Sequence, residues 1–218
     1  MNNDISNADL FHDDPEWLAA LQAIPREAAE QKHARAVKTT ARHSTRRAKS
    51  EAHLAELLPD YESKTSVHVI SQGDVDSLSY LLHYANQLHF DYCLMSTWCM
   101  AMPDVLALRE LIDASRIRRL DCYMGEIFPN QYAGEHAALC DAAHACGGRV
   151  AVFRNHSKIF AAMTERGGLV IESSANVNTN PRCEQTAVHF SDDLFAFYKE
   201  FFDGVRSFNR DFDDWKPA

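Results

Sequence analysis

A mixed α/β fold is predicted for this 218-residue chain: a mixed β-sheet flanked by helices, with a helical N-terminal extension ahead of it. Three observations predict it. Between residues 67 and 146 short apolar runs alternate with stretches of helical spacing, the pattern of strands joined by crossover helices. After residue 148 the rhythm changes to strand-like runs separated by short connections, which calls for hairpins in the same sheet. Residues 15–58 instead carry helical spacing throughout, and the Pro59-containing polar stretch LLPDYESKTS separates the two regimes. The expected organisation is therefore an extension over 1–62 and a main domain over 63–218. With 46% hydrophobic residues, the chain can bury one sizeable core.

The elements follow in order. VHVIS (67–71) reads as a strand, and GDVDSLSYLLHYANQL as a helix with Val75, Leu78, Leu82 and Ala85 on one face. YCLMS (92–96) is a second strand, followed by a helix opened by Pro103 in its first turn, where a missing N–H costs nothing. RLDCYM (119–124) and a helix over 134–146, ended by Gly147-Gly148, form the third unit. Three such units in succession predict parallel strands. RVAVFRN, SKIFAAM, GLVIESS and TAVHF then read as strands, with TERGG as a hairpin turn. SDDLFAFYKEFFDGVRSF is a closing amphipathic helix with Ser191 as N-cap.

Charge narrows the classes of function. The formal net charge of −9 argues against a general nucleic-acid coat. Yet KHARAVKTTARHSTRRAK (32–49) holds seven Lys or Arg and no acid. Arg35, Lys38, Arg42, Arg46 and Lys49 recur at steps of three and four, a stripe of cations on one helical face, with Arg47 beside it. Such a stripe repels itself unless an anionic surface meets it: the acidic body of this or a neighbouring chain, or a phosphate backbone. There is no apolar run long enough for a membrane span and no signal-peptide pattern, so a soluble, cytoplasmic protein is expected. The six cysteines (93, 99, 122, 140, 146, 183) form no CxxC spacing. They read as reduced, mostly buried thiols, with neither disulfide nor metal site expected.

The chemistry gathers around NHSKIF (155–160). In a strand His156 and Lys158 would share one face. The hairpin would return the small, amide-rich turn ESSANVNTNPRCEQ, bringing Ser174 and Asn176 to the same place. Burying such groups without purpose would cost several kcal/mol. Together they suit a phosphodiester: a neutral imidazole attacks phosphorus while lysine and carboxamide hold the non-bridging oxygens. Glu184 is the candidate to accept the other ring N–H and fix the tautomer.

H-S-K at 156–158, S-S-A-N at 173–176 and then Glu184 resemble the signature of the phospholipase D superfamily, H-x-K, a downstream Asp, G-S-x-N and a following acid. The resemblance covers about residues 64–208 and carries over to His156, Lys158, Ser174, Asn176 and Glu184. Met163 stands where the family has Asp, Ser173 where it has Gly, and the inter-motif segment is longer, consistent with a longer turn at TERGG. The resemblance implies a covalent phosphohistidine, no cofactor and no metal. Because only one H-x-K occurs, it also implies a homodimer with the site on its two-fold axis, one His156 attacking and the other protonating the leaving oxygen.

The family's substrates range from phospholipids to nucleic acids. No membrane-seeking helix is present, whereas the basic stripe offers a phosphate track, so a nuclease acting on DNA is the favoured reading, with RNA also open. The rival is a catalytically retired member that binds nucleic acid or a partner protein. Asn178, Asn180 and Arg182 either contact a phosphate or simply shape the turn. Trp98, Met100 and Met102 are expected in the core in preference to a pocket mouth, and His68, His83 and His189 are expected to be packed or hydrogen-bonded.

Overall fold

The computed structural model describes residues 54–71, 75–177, 182–208 and 216–217. Within them lie strands β1 (Ser66–Ser71), β2 (Phe90–Thr97), β3 (Leu120–Gly125), β4 (Val150–Phe153), β5 (Ile159–Thr164), β6 (Gly167–Ser173) and β7 (Glu184–Phe190). The helices are α1 (Ser77–Ala85), α2 (Met102–Asp113), α3 (Phe128–Gln131), α4 (Ala133–Ala145) and α5 (Asp192–Asp203). Residues 1–53 of the extension, with its stripe (Arg35, Lys38, Arg42, Arg46, Arg47, Lys49), lie outside the described residues. Residues 54–61 pack against the sheet domain: Leu54, Leu58 and Tyr61 are buried, and the Tyr61 ring lies 4.8 Å from Phe190.

The strands form one seven-stranded mixed sheet in the order β1-β7-β6-β5-β2-β3-β4. Of the three strands expected to run parallel, β2 and β3 pair so, and β4 joins them instead of forming a hairpin; β1 pairs elsewhere, and every pairing from β2 through β5, β6 and β7 to β1 is antiparallel. Alternating pairings leave β1 pointing the same way as β2 but at the opposite edge. The crossover from β1 to β2 therefore spans three strands, a placement that strand-helix rhythm alone does not specify. The β5–β6 turn is tight, with Thr164 paired to Gly167 and Gly167 at φ +124, so the extra residues between the motifs are not a long turn.

Across the central strands both sheet faces are dry. Cys93, Met95, Cys122, Met124, Phe160 and Ile171 meet Leu78, Leu81, Tyr84, Val105, Leu108 and Leu139 from α1, α2 and α4. On the other face Tyr92, Leu94, Tyr123, Ala151, Ala161 and Val170 meet Phe195 and Phe202 from α5. Strands covered on both faces read as continuous apolar runs, and each fully buried large side chain contributes about 1.5–3 kcal/mol. Ser191 caps α5 as predicted, accepting from Leu194 N–H at 3.2 Å. At the helix's other end the buried Arg149 guanidinium donates to Phe202 O (3.0 Å) and Val205 O (3.4 Å), meeting the negative end of the helix dipole.

This topology fixes where a site can form. The C-terminal ends of β2, β3, β4 and β6 and the N-terminal ends of β5 and β7 share one edge of the sheet. That edge is where parallel strands commonly present ligand-binding loops.

Candidate functional site

The H-S-K segment is not inside a strand. β4 ends at Phe153 and β5 begins at Ile159, so residues 154–158 form an irregular corner. The cause is Asn155, only 5% exposed. Its Nδ2 donates to Tyr123 O (2.8 Å), Ser96 Oγ (2.9 Å) and Thr97 O (3.3 Å), clamping the corner to the ends of β2 and β3. Its Oδ1 accepts from Ser157 N–H (3.0 Å) and from Ser157 Oγ–H (2.7 Å), an Asx turn that competes with the strand conformation. The Ser157 hydroxyl proton is thereby committed, so Ser96 Oγ–H donates across the 2.6 Å contact to Ser157 Oγ.

This turn brings His156 and Lys158 together without the strand alternation. Lys158 is buried, and its Nζ donates to His156 O (2.6 Å) and His156 Nδ1 (2.9 Å). Burial pushes its pKa below the usual lysine value, opposed by the neighbouring charges of Cys99 and Glu184. Because Nδ1 accepts from the ammonium, the neutral ring carries its proton on Nε2. His156 itself is exposed, and the half-buried Trp98 flanks it with ring centroids 5.6 Å apart. Trp98 packs so closely on Gly125 that a Cβ there would lie 2.4 Å from its Cδ1.

The second motif arrives at the same corner. Ser173 N–H donates to Lys158 O at 3.0 Å, and Val177 N–H to Thr97 Oγ1 at 3.4 Å, which ties the loop after β6 to the end of β2. Ser174 Oγ donates to the buried Glu184 carboxylate, and Gln185 N–H donates back to Ser174 Oγ at 2.9 Å. Glu184 therefore orients Ser174 and offers its charge to Lys158, and it makes no hydrogen bond to the His156 ring, contrary to the expectation from sequence. Asn176 Oδ1 is buried without a hydrogen-bond partner. Arg182 stands exposed, two residues ahead of Glu184, while Asn178 and Asn180 lie outside the described residues.

Comparisons with known proteins add the following. No protein-family model matches the chain, and no curated protein does. Among the solved structures that match are the following two. One is a polyphosphate kinase from Porphyromonas gingivalis, with 14% identity and a TM-score of 0.49 over 67% of this chain and 27% of that one. The other is TrmBL2, an archaeal chromatin protein whose structure shows a novel mode of DNA binding, with 13% identity and a TM-score of 0.45 over 81% of this chain and 65% of that one. The chain spans about a quarter of the kinase's length and just under two thirds of TrmBL2's.

Met163 lies in β5 and packs against the α5-side cluster, away from the polar corner. Of the aromatic and sulfur group after β2, Trp98 borders the site, whereas Met100 is in the core and Met102 packs on it. His83 is buried and hydrogen-bonded to Gln87 at 3.1 Å, with burial holding its pKa down. His189 is hydrogen-bonded, and its ring lies 5.8 Å from that of His68. Among the described residues no helix is long and apolar enough to cross a membrane, and no cluster of His, Cys, Asp and Glu has metal-ligand geometry.

Asn155 and Ser96 are the site residues that sequence reasoning missed. An asparagine beside a histidine at a strand end reads as ordinary turn chemistry. The usable signal is that it interrupts an apolar run ahead of H-x-K.

Proposed function

We propose that the protein is a phosphodiesterase of the phospholipase D type, a nuclease with DNA as its favoured substrate, working through a covalent phosphohistidine on His156. The observation that carries this reading is the exposed imidazole held against a buried lysine, with Ser174, Asn176 and Glu184 converging on the same sheet edge.

In this mechanism a phosphoryl group gives Lys158 Nζ an anionic acceptor in place of His156 Nδ1. The ring proton then resides on Nδ1, and the Nε2 lone pair attacks phosphorus. Lys158 and Asn176 hold the non-bridging oxygens as charge builds. The His156 of a second copy protonates the leaving oxygen, which requires a homodimer with a shared site. Water then attacks the phosphoenzyme, releasing the product phosphate ester and restoring the free imidazole. Neither metal nor cofactor takes part. Arg182 contacts a flanking phosphate, and the basic stripe binds the phosphate backbone.

The test is incubation of wild-type and His156→Ala protein with supercoiled plasmid, single-stranded DNA and RNA in EDTA. Cleavage by wild type alone is expected. Cleavage that survives in the variant overturns the assignment.

A second reading, a retired site that only binds nucleic acid, is favoured by one feature: Lys158 occupies Nδ1 while Glu184 is engaged with Ser174, so among the described residues no carboxylate orients the ring. That reading predicts salt-dependent DNA binding, lost when Arg42, Arg46 and Arg47 are neutralised, and no cleavage of any substrate.

A further inference from the structure

Outside the His156 corner, one other constellation has the parts of a nucleophilic centre. It crosses three strands and a helix. Ser66 Oγ, at the exposed start of edge strand β1, lies 2.8 Å from His189 Nδ1 in β7. The opposite ring nitrogen, Nε2, lies 3.1 Å from Glu172 Oε2 in β6, and the other oxygen of that carboxylate accepts from Tyr198 O–H on α5. The sheet register sets this up: Ser66 is directly opposite His189, and His189 is opposite Val170, two residues before Glu172 on the same face.

The donor directions follow from the chemistry. A carboxylate only accepts, so in the neutral ring His189 Nε2 carries the proton and Nδ1 accepts from the Ser66 hydroxyl. Tyr198 stays protonated, because burial first and its bond to Glu172 second push its pKa up. The order hydroxyl, imidazole, carboxylate is then fixed by four named groups. The side chains of His189 and Glu172 are 17% and 36% exposed, so the relay is reachable from solvent yet partly shielded from it. The ring is turned so that Nδ1 receives the hydroxyl, while the carboxylate holds the proton on the far nitrogen. Nothing in the phosphodiesterase reading uses these residues.

We infer that Ser66 is a second nucleophile of this protein, activated by His189 and Glu172, and that it takes an acyl group from an activated carboxylic ester. Ser66 Oγ bonds to the carbonyl carbon as its proton passes to His189 Nδ1. The bond from that carbon to the leaving oxygen then breaks, the imidazolium returns its proton to the leaving group, and an acyl-Ser66 ester remains. The electrophile is an ester because an alkoxide formed at this hydroxyl needs a leaving group that departs as a weak base. Phe197, exposed and with its ring 5.3 Å from that of Tyr198, offers apolar surface beside the relay.

The test uses the full chain with His156→Ala, so that the imidazole of the other site does not compete. The protein is treated with p-nitrophenyl acetate, quenched in acid, and the acetylated peptides are quantified by mass spectrometry. Ser66 is expected to acetylate about tenfold or more faster than the other exposed serines in the same molecule, and to lose that advantage in His189→Gln and in Glu172→Gln. The ratio within one molecule serves as the readout, so a variant that unfolds is recognised by a general rise in labelling of buried residues. Tyr198→Phe, which leaves the three reacting groups in place, gives a second reading with only a small expected loss. Labelling of Ser66 at the rate of other serines, or labelling that is fast but indifferent to both Gln variants, overturns the inference. Its failure is independent of the nuclease assay above.

Discussion

Replacing Asn155 by leucine is expected to remove cleavage and to lower stability by about 3 kcal/mol, because several groups lose partners at once. Tyr123 O, Thr97 O and Ser96 Oγ lose their donor, and Ser157 loses its acceptor, all at a position closed to water. Aspartate is no substitute, since it presents a second oxygen to two carbonyls and a hydroxyl. In thermal unfolding a domain of this size should lose roughly 10 °C. Cleavage should stay absent at temperatures where the variant is still folded, because the corner that aims His156 is gone. A folded leucine variant with full activity would show that the Asx turn does not position the nucleophile.

Lys158→Met should separate function from stability in opposite directions. Cleavage is expected to fall by about a thousandfold, as when one donor to a developing oxyanion is removed. The fold, however, should gain about 1 kcal/mol at neutral pH, because a buried ammonium is replaced by an apolar chain of similar length. The pH dependence carries the sign. The folded pKa of Lys158 lies below the ordinary 10.5, so at pH 7 the charge is present in both states and its burial opposes folding. Between the lowered value and 10.5 the folded protein gives up the proton first, and wild-type stability rises through that window. The methionine variant lacks this slope, so its advantage should be largest near pH 7 and shrink as pH approaches 10.5. An advantage that does not change with pH would locate the effect in packing instead of charge.

Element type was legible where one physical signal dominated. Pro103 at the start of α2, Ser191 before α5 and the apolar runs of β2 and β3 each had a local cause and appear where that cause puts them. Strand order was not legible, because a crossover helix fixes handedness and direction but not how many strands are spanned; β1 accordingly lies at the far edge. At the candidate site, His156 and Lys158 stood out as polar residues between apolar runs, and the return of Ser174 and Asn176 followed from the hairpin. Their local conformation did not, because strand alternation yields to the Asn155 side chain, whose partners lie up to 59 residues away in sequence. The choice of Ser174 over the His156 ring by Glu184 depends on a contact between β7 and the loop after β6 that no spacing encodes. Ser66 and His189 are 123 residues apart, and only the closing of β1 onto β7 makes them neighbours.

Trapping is the decisive test of the proposed covalent bond between His156 and phosphorus. Wild-type protein and DNA are mixed in EDTA, quenched in base at short times, and digested for mass spectrometry under basic conditions that preserve phosphoramidates. A nucleotidyl or phosphoryl adduct on His156 is expected that forms before product accumulates, decays as product appears, and is lost on acid treatment. DNA cleavage without that adduct, or with a covalent adduct on any other residue, would contradict it.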